Sequence, residues 1–584
     1  DDDNCMVDVA RYFLEFTHSE SCGKCIPCRV GLDHALRILT DVTEGKAGPN
    51  DLEELNNLGR VIRDTALCGL GQTGPNPVLT TLRHFRQEYE EHILQGRCRA
   101  GICEHLFLSP CENSCPLHMN IPIFLQLFKE NRLEEACELI QLDNPLPAST
   151  GRVCEHPCEI RCRRKDIDNS VSIREVHRFL ADRMFRDGMQ KIVFDRLQAR
   201  KFPPTGKSIA VVGAGPAGLT VAYYLCLLGH DVTIYEAFPE AGGMLKYALP
   251  EYRLPNSVVD REIEFIRNLG VRFVFNTRIG SDKKLLELDQ EYDITFLSIG
   301  TWIGITTGLP GEHLESVVHG LTCLEDVSTE RKFDLGKNVV VIGGGNVAID
   351  AARTSLRRGA DVTVVYRREE ADMPAIHEEV EEARAEGVKF VFLAVPKSII
   401  EGAPGKVKGI ELIKTRIEGY EPSGRRKQVP TGESFTIPCD TVILAVGERV
   451  DSQFIRESEI EVSEGGTVIV NPFSFETSIQ NVFAGGDAVT GASNVAEAMA
   501  TGKRAAAFID ERLTGQKRFK QLWPSYPIHN DIPLEPQGGE RNSIRIIPVS
   551  ERQANFREVS LGLTEEQAQQ EAVRCLRCDI KEAS

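Results

Sequence analysis

Residues 6–17 (MVDVARYFLEFT) set apolar side chains at helical spacing and predict an amphipathic helix, and 51–63 and 123–141 carry the same period. At Lys207 the pattern changes. Lys207-Ser-Ile-Ala-Val-Val212 and Asp231-Val-Thr-Ile-Tyr235 read as buried strands, with a helix over 217–228 between them. The layout recurs as strand 338–342, helix 346–358 and strand 361–366. Leu297-Ser-Ile-Gly300-Thr301 and Leu444-Ala-Val-Gly447-Glu448 read as crossover strands, where the second αβ unit is inserted into the first. Pro203-Pro204-Thr205-Gly206 is the linker in front of both. The pattern predicts an α/β chain with two Rossmann-like domains behind a helical N-terminal region.

At 584 residues the chain should hold about three or four domains. No apolar run approaches the roughly 18 residues of a membrane span, and no secretory signal opens the chain. A formal charge of −18 argues against nucleic acid as a partner. The start, Asp1-Asp2-Asp3-Asn4-Cys5, has no initiator methionine, which fits a processed chain or part of a longer one. Of 18 cysteines, thirteen precede residue 163 and two more form Cys575-Leu576-Arg577-Cys578. C-x2-C clusters beside large nucleotide-binding segments favour metal in a reducing cytoplasm over disulfides.

Cys22-x2-Cys25-x2-Cys28 presents three thiolates suited to one face of a cubane, and Cys68, in the turn Leu-Cys-Gly-Leu-Gly, can supply a fourth. Zinc is the alternative for these four. Glu20-Ser21-Cys-Gly-Lys-Cys-x-Pro-Cys-Arg within residues 1–95 resembles the C-terminal domain of the NADH-binding flavoprotein subunit of respiratory complex I and related bifurcating hydrogenases. The resemblance implies that Cys22, Cys25, Cys28 and Cys68 hold a [4Fe–4S] cluster that drains an FMN, and that the FMN/NADH-binding portion lies upstream or in a partner.

From Cys111 the text reads Cys111-Glu-Asn-Ser-Cys115-Pro116, then Gly151-Arg-Val-Cys154-x3-Cys158-x3-Cys162. It resembles the N-terminal domain of the glutamate synthase small subunit and of the NADPH-binding subunit of ferredoxin–NADP transhydrogenases, in which two [4Fe–4S] clusters interleave. The resemblance implies one cluster on Cys115, Cys154, Cys158 and His177, since imidazole can replace a thiolate. The family phrase Glu-Ala-x-Arg-Cys-Leu-x-Cys stands here at 571–578, implying a second cluster on Cys111, Cys162, Cys575 and Cys578. The tail must then fold back; the alternative is a frayed tail serving a partner's metal. Cys98-Arg-Ala-Gly-Ile-Cys103 and His92 resemble a zinc segment of hydrogenase subunits, with His105 as a candidate fourth ligand. The competing reading gives Cys98 and Cys103 to the Cys111/Cys162 cluster. Cys5, Cys137, Cys226, Cys323 and Cys439 match no motif and are expected to be packing residues.

Gly213-Ala-Gly215-Pro216-Ala217-Gly218 lies between strand and helix, and Glu236 ends the next strand, a dinucleotide fingerprint with its ribose acid. Gly343-Gly-Gly345-Asn346-Val347-Ala348 repeats the loop, but its second strand ends in Arg367-Arg368, which favours the 2′-phosphate of NADP(H). Gly243, Leu245, Arg253, Gly300, Gly447, Gly486, Asp487 and Val495 complete the candidate cofactor contacts; Asn481-Val-Phe-Ala-Gly-Gly486-Asp487 resembles the motif whose aspartate binds the FAD ribityl chain. Likeness to the glutamate synthase small subunit covers most of 104–515, with Ala248 where relatives usually carry glycine. No C-x4-C pair follows the FAD loop, so thiol–disulfide exchange at the flavin is not expected, and no side-chain acid or base is required.

These segments give a helical [4Fe–4S] domain (1–97), a double-cluster domain (98–202), an FAD domain in two parts (203–330 and 447–515), an inserted NADPH domain (331–446) and an extended tail (516–584). The resemblance implies a transhydrogenase subunit, plausibly electron-bifurcating, with FAD, NADP(H), three [4Fe–4S] clusters and Zn2+. Implied partners are an FMN/NADH-binding flavoprotein, a thioredoxin-like [2Fe–2S] subunit and a ferredoxin. Two rivals stand beside it: an NADPH-oxidising subunit of a glutamate-synthase-like, formate- or hydrogen-linked complex, and a non-catalytic iron–sulfur relay.

Overall fold

The apolar β runs form two parallel sheets whose central strands are buried on both faces. This is seen in a computed structural model that describes residues 4–329, 334–421, 426–529, 535–552 and 555–580. The first sheet has the order Val482–Ala484, Ile294–Leu297, Ser208–Val212, Asp231–Tyr235, Arg272–Val274. The second runs Val317–His319, Thr441–Leu444, Asn338–Ile342, Asp361–Tyr366, Lys389–Phe392. It therefore begins before residue 331, because the three-residue edge strand Val317–His319 pairs with Thr441–Leu444. The two connections between the sheets pair with each other, Ile303–Gly304 against Glu448–Arg449, as a ribbon two residues long.

The N-terminal region is helical, with Met6–Ser19, Asp33–Thr43 and Asp51–Thr65 closing over Val7, Leu14, Leu39, Leu55 and Ile62. The helix expected over 123–141 is two, Ile121–Lys129 and Leu133–Asp143, because Asn131 takes a left-handed conformation (φ 58°). No helix among the described residues is long and apolar enough to cross a membrane.

The tail is not simply extended. Thr564 and Gln567 form a capping box that starts the helix Glu565–Val573. Ala568 and Ala572 of this helix join the core that contains Phe128 and Val176. Arg574 anchors it. Fully buried, it donates to Glu571 (2.9 Å), Asp168 (2.8 Å) and the carbonyls of Asn169, Ser170 and Gly539. Glu571 in turn accepts from the Ser172 amide (2.9 Å), and Arg164 donates to the Arg574 carbonyl (3.2 Å). Removing one side of such a pair strands a buried charge. Arg574→Met should therefore cost about 3–5 kcal/mol locally, read as faster release of the tail in limited proteolysis of the intact protein.

Candidate functional site

Four buried donors from distant parts of the N-terminal region converge: Cys5, His92, Cys98 and Cys103, with all ligand atoms within 4.8 Å of one another. Cys5 Sγ lies 3.3 Å from His92 Nε2 and 3.8 Å from Cys103 Sγ, and His92 Nε2 lies 3.4 Å from Cys103 Sγ. A tetrahedral zinc with ordinary Zn–S and Zn–N bonds has edges of roughly 3.5–3.8 Å, so donors and spacing fit. His92 Nδ1 is 2.7 Å from the Glu88 carbonyl, which leaves Nε2 as the ligand atom. The fourth donor is Cys5, expected to be a packing residue; His105 is exposed on the turn Glu104–Leu106. Cys5 caps the first helix through the Asp8 amide, a position where cysteine is an uncommon choice.

Cys98 and Cys103 are thus brought to Cys5 and His92. Cys111 and Cys162 share a small cavity with Cys575 and Cys578 from the tail. Burial raises the Cys575 thiol to about 12, and burial, with the other three cysteines adding charge, raises that of Cys111. Such thiols are retained as thiolates only by a bound cation or cluster.

Burial raises the Cys154 thiol to about 12, Cys115 adding to it, and Cys158 is raised by burial beside Glu159, Cys115 and Cys154. The helix Ile173–Arg186, which carries His177, lies against Pro147–Val153; a Cβ on Gly151 would come 2.8 Å from Arg178 Cα. That close approach accounts for the glycine in Gly-Arg-Val-Cys. His177 Nε2 is buried without a hydrogen-bond partner, and burial holds the ring at about 4, hence neutral. An orphaned neutral imidazole nitrogen suits a ligand role. Lys503, buried on the helix Val495–Thr514, donates to the Leu117 and Asp143 carbonyls (both 2.9 Å) and sets a cation near Cys115.

At the first cluster motif, the turn bearing Cys68 reaches the C-x2-C-x2-C loop. A Cβ on Gly71 would meet Cys28 Sγ at 2.4 Å, so the turn needs glycine there. Burial raises Cys28 to about 11, with neighbouring Cys25 and Cys68 contributing. Cys22 and Cys68 are exposed, beside Ile26 and Leu67.

The first glycine loop, with Asn346 and Val347 at the end of the second, opens on one cavity of about 790 Å³, at the upper end for ligand sites. Gly213, Gly215, Pro216, Ala217, Glu236, Gly243, Leu245, Gly300, Gly486, Asp487 and Val495 line it from the first unit, Asn346 and Val347 from the second. Glu236 accepts from the Ala214 (2.7 Å) and Phe238 (2.9 Å) amides, and burial raises its pKa. Asp487 is likewise raised by burial and takes a 2.6 Å bond from Ser493. The helices Pro216–Leu227 and Val495–Thr514 begin at the cavity, offering N-terminal amides to a pyrophosphate. No cysteine among the described residues lines it.

Gly218, Gly343, Gly345, Gly447, Arg367 and Arg368 are not part of that lining. Arg368 departs from expectation. It is buried, donating to the Arg426 carbonyl (2.7 Å) and pairing with Glu421 (3.1 Å), because alternation past the strand end turns it inward and Arg367 outward. Arg253, expected on the cofactor, lines the cavity with its guanidinium engaged by Asp350 (2.5 Å) and Glu379 (3.3 Å) of the inserted domain. Val153 and Glu155, which flank Cys154, also line the cavity and had no motif to announce them.

The family description pyridine nucleotide-disulphide oxidoreductase matches residues 207–502. The chain belongs to that family. Ahead of it, residues 8–92 match the iron–sulfur binding region of NADH-ubiquinone oxidoreductase F, and 81–189 the 4Fe-4S domain II of dihydropyrimidine dehydrogenase. The chain is 36% identical to the NADP(+)-dependent formate dehydrogenase subunit beta of Moorella thermoacetica, over 98% of this chain and 90% of that one. It is 34% identical to the NADPH-Fe(3+) oxidoreductase subunit beta of Geobacter sulfurreducens, over 98% and 91%. The glutamate synthase [NADPH] small chain of Escherichia coli is 35% identical, over 70% and 90%. This is an NAD(P)H-dependent FAD/iron–sulfur oxidoreductase.

Two variants separate the candidate metal sites. Cys5→Ala should remove bound zinc and leave iron unchanged, whereas Cys575→Ser with Cys578→Ser should remove about four irons and spare zinc, both read by metal analysis of anaerobically purified protein.

Proposed function

We propose that the chain is the NADP(H)-handling subunit of a multisubunit electron-transfer complex. It exchanges a hydride between NADP(H) and FAD and passes single electrons along three [4Fe–4S] clusters toward the surface at Cys22 and Cys68. One observation carries this reading: Val153 and Glu155, on either side of Cys154, line the same cavity as the first glycine loop and as Asn346 and Val347 at the end of the second. Flavin supplies the conversion between hydride and single-electron chemistry, and the clusters supply conduction.

The chain's own residues hold and shield. Glu236 offers a buried carboxylate to ribose hydroxyls, two helix N-termini face the cavity, and Asp487 stands where a ribityl chain would need an acceptor. Arg367, exposed at its strand end, is the cation available for a 2′-phosphate. Cys5, His92, Cys98 and Cys103 would hold zinc as a structural clasp of the N-terminal region.

The remote end of the complex has two forms. In the first, an FMN/NADH flavoprotein, a [2Fe–2S] subunit and ferredoxin complete a bifurcating transhydrogenase. In the second, formate oxidation is linked to NADP; the 36% identity to the Moorella subunit across nearly the whole chain favours it. Reconstitution with each partner set, followed by NADP-dependent turnover, separates them.

NADPH should bleach the flavin of the isolated holoprotein much faster than NADH in anaerobic stopped-flow. Arg367→Ala should weaken NADPH about tenfold or more while leaving NADH nearly unchanged. Absence of NADPH bleaching would favour a pure relay.

A further inference from the structure

Glu155 follows Cys154 directly, and its two carboxylate oxygens reach both dinucleotide domains. Oε1 accepts from Asn346 Nδ2 (3.2 Å) and Oε2 from Asn494 Nδ2 (3.3 Å). Neither amide is free to turn. Asn346 Oδ1 accepts from the Ile376 amide (2.9 Å), and Asn494 Oδ1 caps its helix by accepting from Glu497 (2.9 Å). Both NH2 groups are thereby aimed at one carboxylate. Asn346 opens the helix Asn346–Arg357 and Asn494 caps Val495–Thr514, so two helix N-termini face the same anion.

The inserted domain gains a restraint from this contact, beside the ion pairs of Arg253 and Arg552. Its covalent connections pair only over Ile303–Gly304 and Glu448–Arg449. At the cavity wall Arg253 bridges to Asp350, and behind it Tyr252 packs under Arg353 and Arg357. At the same wall, Glu155 ties Asn346 to the flavin half. Hydride transfer demands reacting atoms about 3–3.5 Å apart, and a 1 Å displacement costs about a hundredfold.

We propose that Glu155 is a positioning residue for hydride transfer: it clamps the nicotinamide-domain helix Asn346–Arg357 to the flavin-domain helix Val495–Thr514 from the backbone of the Cys154 loop. The step it serves breaks the nicotinamide C4–H bond and forms the bond to flavin N5, carrying two electrons and the hydrogen together. Glu155 holds geometry and exchanges no proton. The inference rests on NADP(H) occupying the loop at Gly343–Ala348.

The test compares Glu155→Ala, Glu155→Gln and Glu155→Asp in the intact holoprotein. Adenosine 2′,5′-bisphosphate reports the anchoring end of the nucleotide, stopped-flow bleaching with NADPH and its C4-deuterated form reports the hydride step, and hydrogen exchange of 346–357 reports the clamp. E155A should bleach about 10–100-fold more slowly, with bisphosphate affinity within twofold, a larger isotope effect and faster exchange at the start of the helix. E155Q keeps one acceptor and should fall between; E155D, one methylene short of spanning both amides, should resemble E155A. Wild-type bleaching or unchanged exchange in E155A overturns the clamp, as does loss of the cluster EPR signals in these variants, which would put the effect at Cys154. Failure of the bisphosphate to bind the unsubstituted protein overturns the NADP(H) reading itself and the clamp with it.

Discussion

Arg574 holds together two stretches of chain that synthesis sets more than four hundred residues apart. Its guanidinium joins Glu571 of the tail to Asp168 and the carbonyls of Asn169 and Ser170 in the iron–sulfur region, with no solvent exposure. Such a buried network is costly to assemble and more costly to break. It fixes the end of the helix Glu565–Val573 against the iron–sulfur region, and Cys575 and Cys578 lie beside Cys111 and Cys162.

A second junction belongs to the same region. The segment Val153–Glu155 belongs by sequence to the cysteine-rich domain, yet it walls the nucleotide cavity. The Asn113 side chain likewise ties the backbone of Cys98 to the short helix Pro110–Ser114, through bonds of 3.0 and 2.7 Å. Segments that carry candidate metal ligands are thus packed as structural joints between neighbours. This keeps candidate redox centres in fixed relation without a separate scaffold.

The glycine loops, strands and Glu236 were legible in the sequence because a dinucleotide site is local: spacing alone sets its geometry. The return of the tail was legible only through a displaced family phrase. Cys5 was not, since its partners lie 87 and 98 residues away and no spacing relates them. The break at Asn131 was hidden because apolar periodicity continues on both sides of it. Arg368 misled because a strand-end cation looks the same whether it points out or in; the antiparallel pair Val407–Tyr420 and Arg426–Pro438, far along the chain, decides it. The start of the second sheet was missed because three residues at an edge carry almost no pattern.

The position of Cys575 and Cys578 bears on how the molecule is made. Both Rossmann domains emerge from the ribosome after Cys162 and before Cys575, so the four-cysteine cavity lacks two of its four cysteines throughout that interval. Domains fold as they are synthesised, so the tail docks onto a body already built. Closure of that cavity is then a late event, and a chain interrupted within the nucleotide-binding half presents open thiols in place of a finished site. The molecule carries a test of its own completeness.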